Sequence, residues 1–314
     1  MRRIVTIFSA AILSAGCAGV GGVAEPGASG PVEDAFQQRA RVVAEAWADG
    51  TATDAWRNGF VPLQDLTVPP ADGFRTDEMK QAFLAGWYVL RTTLPPVQSA
   101  QAQPVRFADG GTMQVGVVSA AEAYAAIDKG DAPCPGTDPI PDPGPSASPD
   151  TPTSTQVPGS CTSLGVTGAT LGQVTLRTSR GEATVPAWLF SVTGLDDPVA
   201  RVAVVPAQVT AVPSPSVPPA PAQPGLVTAQ DLVAVDGTKI TYRLGVGACD
   251  KDIRPLFFET DTVVVVGGQV SPPTTGVCID LLKLEPVTVT LAEPLGERPV
   301  VDAATGTALT LTVR

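Results

Sequence analysis

The pattern of apolar and polar positions first indicates helices. Over residues 32–49 apolar side chains recur at helical spacing, which predicts an amphipathic helix that Gly50 ends. The side chains on its apolar face are Phe36, Ala40, Val43 and Trp47. A shorter turn is expected around Trp56 and Phe60. These apolar faces predict part of a buried core rather than a ligand site.

Two further helices are predicted from start signals. Residues 77–87 open on the acidic pair Asp77 and Glu78, which suits the positive end of a helix. Its apolar face carries Met79, Phe83 and Trp87. Ser119 and Glu122 have the spacing of a capping box, so another helix is expected to begin there and run to Asp128.

Alternating apolar and β-branched residues predict strands in the rest of the chain. The expected strands lie at 105–118 (a hairpin turning at 109–111), 174–177, 184–192, 199–205, 232–235, 239–244, 262–266, 287–291 and 309–313. Asp236 and Gly237 form the turn signal between two of them, and Trp188 is expected in the core.

Two proline-rich stretches indicate how the chain is divided. Residues 133–159 have too few apolar groups to form a core and predict a solvated excursion, and residues 206–224 predict a linker. The fold class expected is α+β. A helix-plus-antiparallel-sheet domain over 32–205 precedes an all-β, sandwich-like domain over 225–314. An immunoglobulin-like sandwich is one form, although the cysteine and tryptophan spacing of true immunoglobulin domains is lacking.

The first residues have the layout of an export signal. Arg2 and Arg3 precede an uncharged run over 4–13, which is too short for a membrane-spanning helix of ~20 residues. Residues 1–16 are therefore predicted to be a signal peptide. The run LSAGC that ends at Cys17 resembles the lipobox of bacterial lipoproteins. This resemblance implies cleavage before Cys17 and a diacylglycerol on its sulfur, often with a further acyl chain, and residues 17–31 are expected to be a flexible tether.

Charge and composition agree with an extracytoplasmic location. The formal net charge is −11, and loss of Arg2 and Arg3 with the signal peptide makes it more negative. An acidic surface disfavours nucleic-acid partners and electrostatic docking on anionic lipid. The lipid on Cys17 is therefore expected to hold the protein at the membrane.

Four further cysteines predict two disulfides. Cys134, Cys161, Cys249 and Cys278 are an even number in an exported chain, and three pairings are open. Pairing of neighbours, Cys134 with Cys161 and Cys249 with Cys278, is favoured because each would close a moderate loop. A zinc site is the alternative, but no two of these cysteines have the short spacing of structural zinc motifs.

The absence of histidine limits the chemistry. It excludes Ser-His-Asp and Cys-His nucleophile systems and zinc enzymes with imidazole ligands. No phosphate-binding loop is present, no metal or cofactor is expected, and no catalytic residue is assigned. Two carboxylates could still cleave a glycoside or bind calcium. The candidates are Asp250, Asp252, Glu259 and Asp261, for which a solvated loop is the plainer interpretation.

Two segments carry a second resemblance. TSRGEATVPAWLF over 178–190 and PLGERPVVDAATG over 294–306 are similar to segments of actinobacterial-type secreted lipoproteins of unassigned activity. The resemblance implies location and carries no catalytic residue over. Three hypotheses remain open: a non-catalytic envelope module, expected to be a monomer, that binds a protein, polymer or small ligand; a carboxylate-dependent hydrolase of cell-wall polysaccharide; and a structural envelope spacer.

Overall fold

The structure, a computed structural model, describes residues 30–48, 50–96, 102–132, 162–219, 221, 223–271 and 278–312. Within these ranges the fold is mixed α+β, as predicted. The helices are α1 (Pro31–Ala48), α2 (Thr51–Asn58), α3 (Asp77–Ala85) and α4 (Ala120–Ile127). The strands are β1 (Thr67–Val68), β2 (Tyr88–Leu90), β3 (Gln103–Phe107), β4 (Thr112–Val115), β5 (Leu164–Thr178), β6 (Gly181–Val192), β7 (Val199–Val202), β8 (Leu226–Val227), β9 (Ala229–Asp236), β10 (Lys239–Gly247), β11 (Lys251–Glu259), β12 (Val264–Ser271), β13 (Leu282–Thr290) and β14 (Val300–Asp302).

The first sheet has seven strands. Its path is β1-β7-β6-β3-β4, and β5 pairs with both β6 and β2. The pairs are antiparallel except β2 with β5. Helices α3 and α4 pack on this sheet through small side chains, Ala82 and Ala123, against Trp188 and Phe190. The predicted core position of Trp188 is confirmed, since it is 6% exposed.

The C-terminal part is a sandwich of two sheets, with strand orders β13-β10-β9 and β11-β12-β14. Strand β8 adds to β12, and β12 pairs with β14 in parallel. Tyr242 and Leu244 from one sheet pack against Val264 and Val266 from the other. This mostly β arrangement agrees with the sandwich-like fold that the strand spacing predicts.

Helix α1 covers the outer face of the second sheet. Alternate residues of a strand point to opposite faces, so Val264 and Val266 face the sandwich core while Val263 and Val265 face α1. Phe36 of α1 is fully buried against them. The helix at the start of the predicted first domain thus packs on the sheet of the predicted second one.

The proline-rich stretch predicted as a linker packs along the protein where it is described. Val217 is partly buried and packs against the core under α1, and Thr210 N–H donates to Phe60 O at 2.8 Å. Arg39 of α1 donates to Pro218 O at 2.6 Å and to Ala303 O at 2.8 Å. This stretch therefore contributes to the interior.

Two strand expectations differ from the structure. The predicted strand over 309–313 forms a single isolated bridge, from Leu311 to Leu232, within the part of it that is described. Strand β11 occupies positions expected to form a polar loop, and its one strand partner among the described residues is β12. An edge position tolerates Pro255 and polar side chains, which explains why the pattern concealed this strand.

Several predictions fall outside the described residues: the signal peptide, Cys17, most of the tether, the excursion over 133–159, Cys134 and Cys161. In the described part, none of the helices combines the length and apolar character needed to cross a bilayer.

Candidate functional site

A cavity of about 370 Å³ lies where several chain segments meet. The segment around β1, the ends of α3 and α4, strand β7 and residues 310–312 all contribute to its wall. We call this cavity the Tyr88 pocket. The polar side chains that line it include Asp65, Thr67, Tyr88, Lys129, Arg201 and Thr312.

Gly86 places two of these residues. It ends α3 in the left-handed conformation with φ 75°, and its amide donates to Ala82 O and Phe83 O. Lys129 N–H donates back to Gly86 O at 2.8 Å. A Cβ at position 86 would lie 2.9 Å from Lys129 Cγ, so only glycine leaves room for the lysine stem here. The turn leads directly into β2 and Tyr88.

Tyr88 is 3% exposed and packs among the core residues under α3 and α4. Its hydroxyl is buried, and no described residue forms a hydrogen bond with it. Burial, together with the negative charge of Asp65, raises the pKa of Tyr88 well above its usual value. The hydroxyl is therefore a neutral donor that finds no acceptor in the described ranges, and a buried donor left unpaired costs about 1–3 kcal/mol.

Arg201 brings a positive charge to the same pocket from strand β7. Its side chain is 20% exposed, and its Nη1 donates to Thr67 Oγ1 at 2.9 Å. Asp65 Oδ1 lies 3.7 Å from Nη1. Burial lowers the pKa of Arg201 and the charge of Asp65 opposes that shift, yet arginine stays protonated in proteins. Among the described residues, Thr67 is the one hydrogen-bond acceptor of this guanidinium.

Residues 310–312 close one side of the pocket. Leu311 N–H donates to Leu63 O at 2.6 Å, and Leu232 N–H donates to Thr310 O at 2.9 Å. Thr312 Oγ1 donates to Asp231 Oδ2 at 3.0 Å. The wall is thus fixed both to the segment before β1 and to strand β9.

Two of the four carboxylates predicted from the sequence, Asp250 and Glu259, have structural partners. Asp250 accepts from Gly247 N–H at 2.7 Å in the turn before β11, and Asp252 follows at φ 50°. Glu259 binds Arg298 Nη1 at 2.7 Å and accepts from Ala292 N–H at 2.8 Å. Burial acts to raise the pKa of Glu259, but the hydrogen bonds from Ala292 and Arg298 outweigh it and lower the pKa.

Asp261 lines a different cavity, of about 380 Å³, with Trp47, Trp56 and Glu297. Trp56 Nε1 donates to Glu297 O at 2.6 Å, and Ser179 Oγ donates to Trp56 O at 2.6 Å. The two segments singled out by resemblance, 178–190 and 294–306, thus meet at Trp56. Both tryptophans are buried, so neither offers a flat sugar-binding surface.

A general acid needs a carboxyl whose pKa is raised. Among the described Asp and Glu side chains, only Asp302 has a raised pKa, because it is buried. Its oxygens accept from Ala229 N–H at 2.9 Å, Thr305 N–H at 2.9 Å and Thr305 Oγ1 at 3.0 Å. These bonds hold the turn after β14, and the side chain is 2% exposed, so we assign it a structural role.

The Cys249–Cys278 bridge is present in the structure, with its Cα atoms 6.1 Å apart. It joins the turn before β11 to the segment before β13. That segment continues into exposed apolar side chains at Ile279, Leu281, Leu282 and Leu284. No group of three or more Asp, Glu, Cys or His in the described ranges is placed to hold a metal ion.

The pocket residues were not singled out by the sequence. Asp65, Tyr88, Lys129 and Arg201 are far apart along the chain and belong to no motif. Comparison of the chain with protein-family models, with curated proteins and with solved structures finds no match. Its function must therefore be inferred from its own residues.

Proposed function

We propose that the protein is a non-catalytic binding module of the cell envelope, anchored outside the cytoplasm by lipid on Cys17, that holds a ligand in the Tyr88 pocket. The observation that carries the proposal is the buried Tyr88 hydroxyl, which has no partner among the residues that the structure describes. Nearly all buried polar groups in folded proteins are hydrogen-bonded, so an unpaired donor on a residue that lines a cavity calls for an explanation.

A bound ligand supplies that explanation. A ligand atom that accepted a hydrogen bond from the Tyr88 hydroxyl would remove the free-energy cost of burying that hydroxyl unpaired. Arg201 supplies further donors at the same wall. A few polar groups converging on a cavity of several hundred cubic ångströms are the usual form of a small-molecule site.

A non-catalytic role is favoured by the state of the acidic residues. Glu259 is bound to Arg298, and the buried Asp302 accepts hydrogen bonds from backbone amides. The chain also contains no histidine. Histidine is therefore not available to a hydrolase, and Glu259 and Asp302 stabilise loops.

The binding role can be tested with a fluorescent amino acid placed at the pocket rim. Leu84 lines the pocket and is 48% exposed. Leu171 on β5 is 42% exposed and does not line it, which makes it the matched control. The dialysable small-molecule fraction of a bacterial cell extract is titrated into the full chain in detergent micelles. We expect a saturable change in emission from position 84 only. No change at position 84, or equal changes at both positions, would overturn the proposal.

The anchor can be tested by cell fractionation. A Cys17→Ser variant loses the sulfur that carries the acyl chains, so we expect it to leave the membrane fraction. A Cys134→Ser variant keeps that sulfur and should remain with the membrane. Retention of the Cys17→Ser protein in membranes after normal processing would show that some other part of the chain binds them.

A further inference from the structure

We infer that the ligand of the Tyr88 pocket presents an oxyanion, a carboxylate or a phosphate, to Arg201 and Lys129. This inference rests on the proposed function and names the chemical class that the pocket would select. It starts from the contrast between the charges at the pocket and those of the whole chain.

The chain is acidic, with a formal net charge of −11. The Tyr88 pocket has the opposite balance, because its wall holds two cations, Lys129 and Arg201, and one carboxylate, Asp65. A positive cavity in a negative protein favours an anion locally, while the remaining surface disfavours it.

The negative charge of Asp65 neutralises the positive charge of Arg201 only weakly. Its Oδ1 lies 3.7 Å from Arg201 Nη1, and its side chain is 66% exposed. Exposed ion pairs of this kind contribute little because water screens them. Arg201 itself is mostly buried, so an anion that entered the pocket would interact with it in a less screened environment.

The hydrogen-bonding groups favour the same class. Arg201 uses one donor on Thr67 Oγ1 and has others without an acceptor among the described residues. Lys129 Nζ also has no acceptor there, and neither does the Tyr88 hydroxyl. A set of donors requires a ligand rich in acceptors, and the charged oxygens of a carboxylate or a phosphate are strong acceptors. A cationic ligand would be repelled by Arg201 and would leave the hydroxyl of Tyr88 unpaired.

Isothermal titration of the full chain tests the inference, with succinate and inorganic phosphate as separate probes and glycerol as a neutral one. We expect saturable binding of at least one anion, weakened by added sodium chloride, and none of glycerol. The two anions distinguish a carboxylate site from a phosphate site. Arg201→Gln should weaken binding about tenfold or more, because a hydrogen bond to a charged group is lost. Lys129→Gln should weaken it about threefold.

The control is Arg106→Gln, which removes an exposed arginine on β3 and should leave binding unchanged. Arg201→Lys keeps the charge and should bind better than Arg201→Gln, and circular dichroism checks that each variant is folded. Equal weakening by Arg106→Gln would show non-specific attraction and overturn the inference. If the Leu84 reporter responds to the extract but neither anion binds, the ligand class is wrong and the binding function stands. If neither responds, both proposals fail.

Discussion

Two buried tyrosines show how the partner of a single hydroxyl distinguishes a structural residue from a site residue. Tyr242 is fully buried, and its hydroxyl donates to Gly267 O at 2.8 Å and Leu256 O at 3.2 Å. Tyr88 is equally enclosed, but its hydroxyl has no partner in the described part of the chain. Burial raises the pKa of both. The first hydroxyl ties two strands together, and the second belongs to a residue that lines the Tyr88 pocket and has no partner among the described residues.

Removing each hydroxyl should therefore have opposite effects. Tyr88→Phe removes an unpaired donor, so we expect the free energy of unfolding of the ligand-free protein to rise by about 1 kcal/mol. Tyr242→Phe leaves two backbone carbonyls without their donor and should lower it by about 1–2 kcal/mol. Denaturant unfolding of both variants measures the difference. A loss of more than about 1 kcal/mol in Tyr88→Phe would show that its hydroxyl is already paired.

Asp302 should make stability depend on pH. Burial raises the folded-state pKa of Asp302 above the ordinary value of 3.8. At a pH between 3.8 and the folded-state pKa, the folded state therefore binds more protons than the unfolded state. Its contribution to stability is therefore fully present below pH 3.8 and is lost as pH rises through the folded-state pKa. The stability difference between wild type and Asp302→Asn should fall with rising pH over that window.

Glu259 provides the control of opposite sign. Its pKa is lowered below 4.5, so its contribution is present above that pH and is lost on acidification. The difference between wild type and Glu259→Gln should accordingly grow as pH rises. Equal slopes for the two variants would contradict the raised pKa of the buried Asp302 carboxyl.

The pocket could not be predicted residue by residue. Lys129 follows a helix and Arg201 lies within a strand, so their local sequences explain their positions without any ligand. What makes them part of a site is the crossing of β7 beside the end of α4, and a single sequence carries no signal for that contact. Tyr88 is likewise a core aromatic by pattern, and only the missing partner of its hydroxyl distinguishes it.

At the scale of elements, local signals predicted more. Both hydrogen bonds of the predicted capping box are present. The Ser119 side chain accepts from Glu122 N–H, and Glu122 Oε2 accepts from Ser119 N–H at 2.8 Å. The expected hairpin between β9 and β10 is present, but its turn lies at Gly237 and Thr238, because Asp236 is the last residue of β9 and pairs with Lys239. Strand β5 was predicted only over 174–177, because Gly165, Gly168 and Gly172 weaken the strand pattern before it. Pairing with β6 along this segment overrides that weak local preference.

The disulfide that closes the turn before β11 should stabilise the sandwich. Cys249 and Cys278 are 29 residues apart, and closing a loop of that length is worth about 3.5 kcal/mol on the chain-entropy model. We expect a Cys249→Ser, Cys278→Ser double variant to lose about that much in denaturant unfolding. Part of the stability of the wild type should be lost in reductant. If reductant destabilises the double variant as strongly as the wild type, another bridge is responsible.

At the scale of the whole molecule, packing connects segments that composition separates. Proline content marked residues 206–224 as a linker, yet Val217 packs against a buried core and Arg39 donates to Pro218 O. Four consecutive buried valines, 263–266, predict a strand, but they do not predict which elements pack on its two faces. Their burial on both faces requires a third layer, which α1 supplies from the other end of the chain. Such long-range contacts depend on topology, and local periodicity does not encode them.

The account depends on one claim, that the Tyr88 pocket is a ligand site. The most direct measurement is a crystal structure of the mature protein purified from the envelope of a host that exports it. We expect a non-protein group within hydrogen-bond distance of the Tyr88 hydroxyl and of Arg201, with an acceptor atom at the hydroxyl. A pocket in which an ordered water or a side chain of the protein itself satisfies that hydroxyl would contradict the claim.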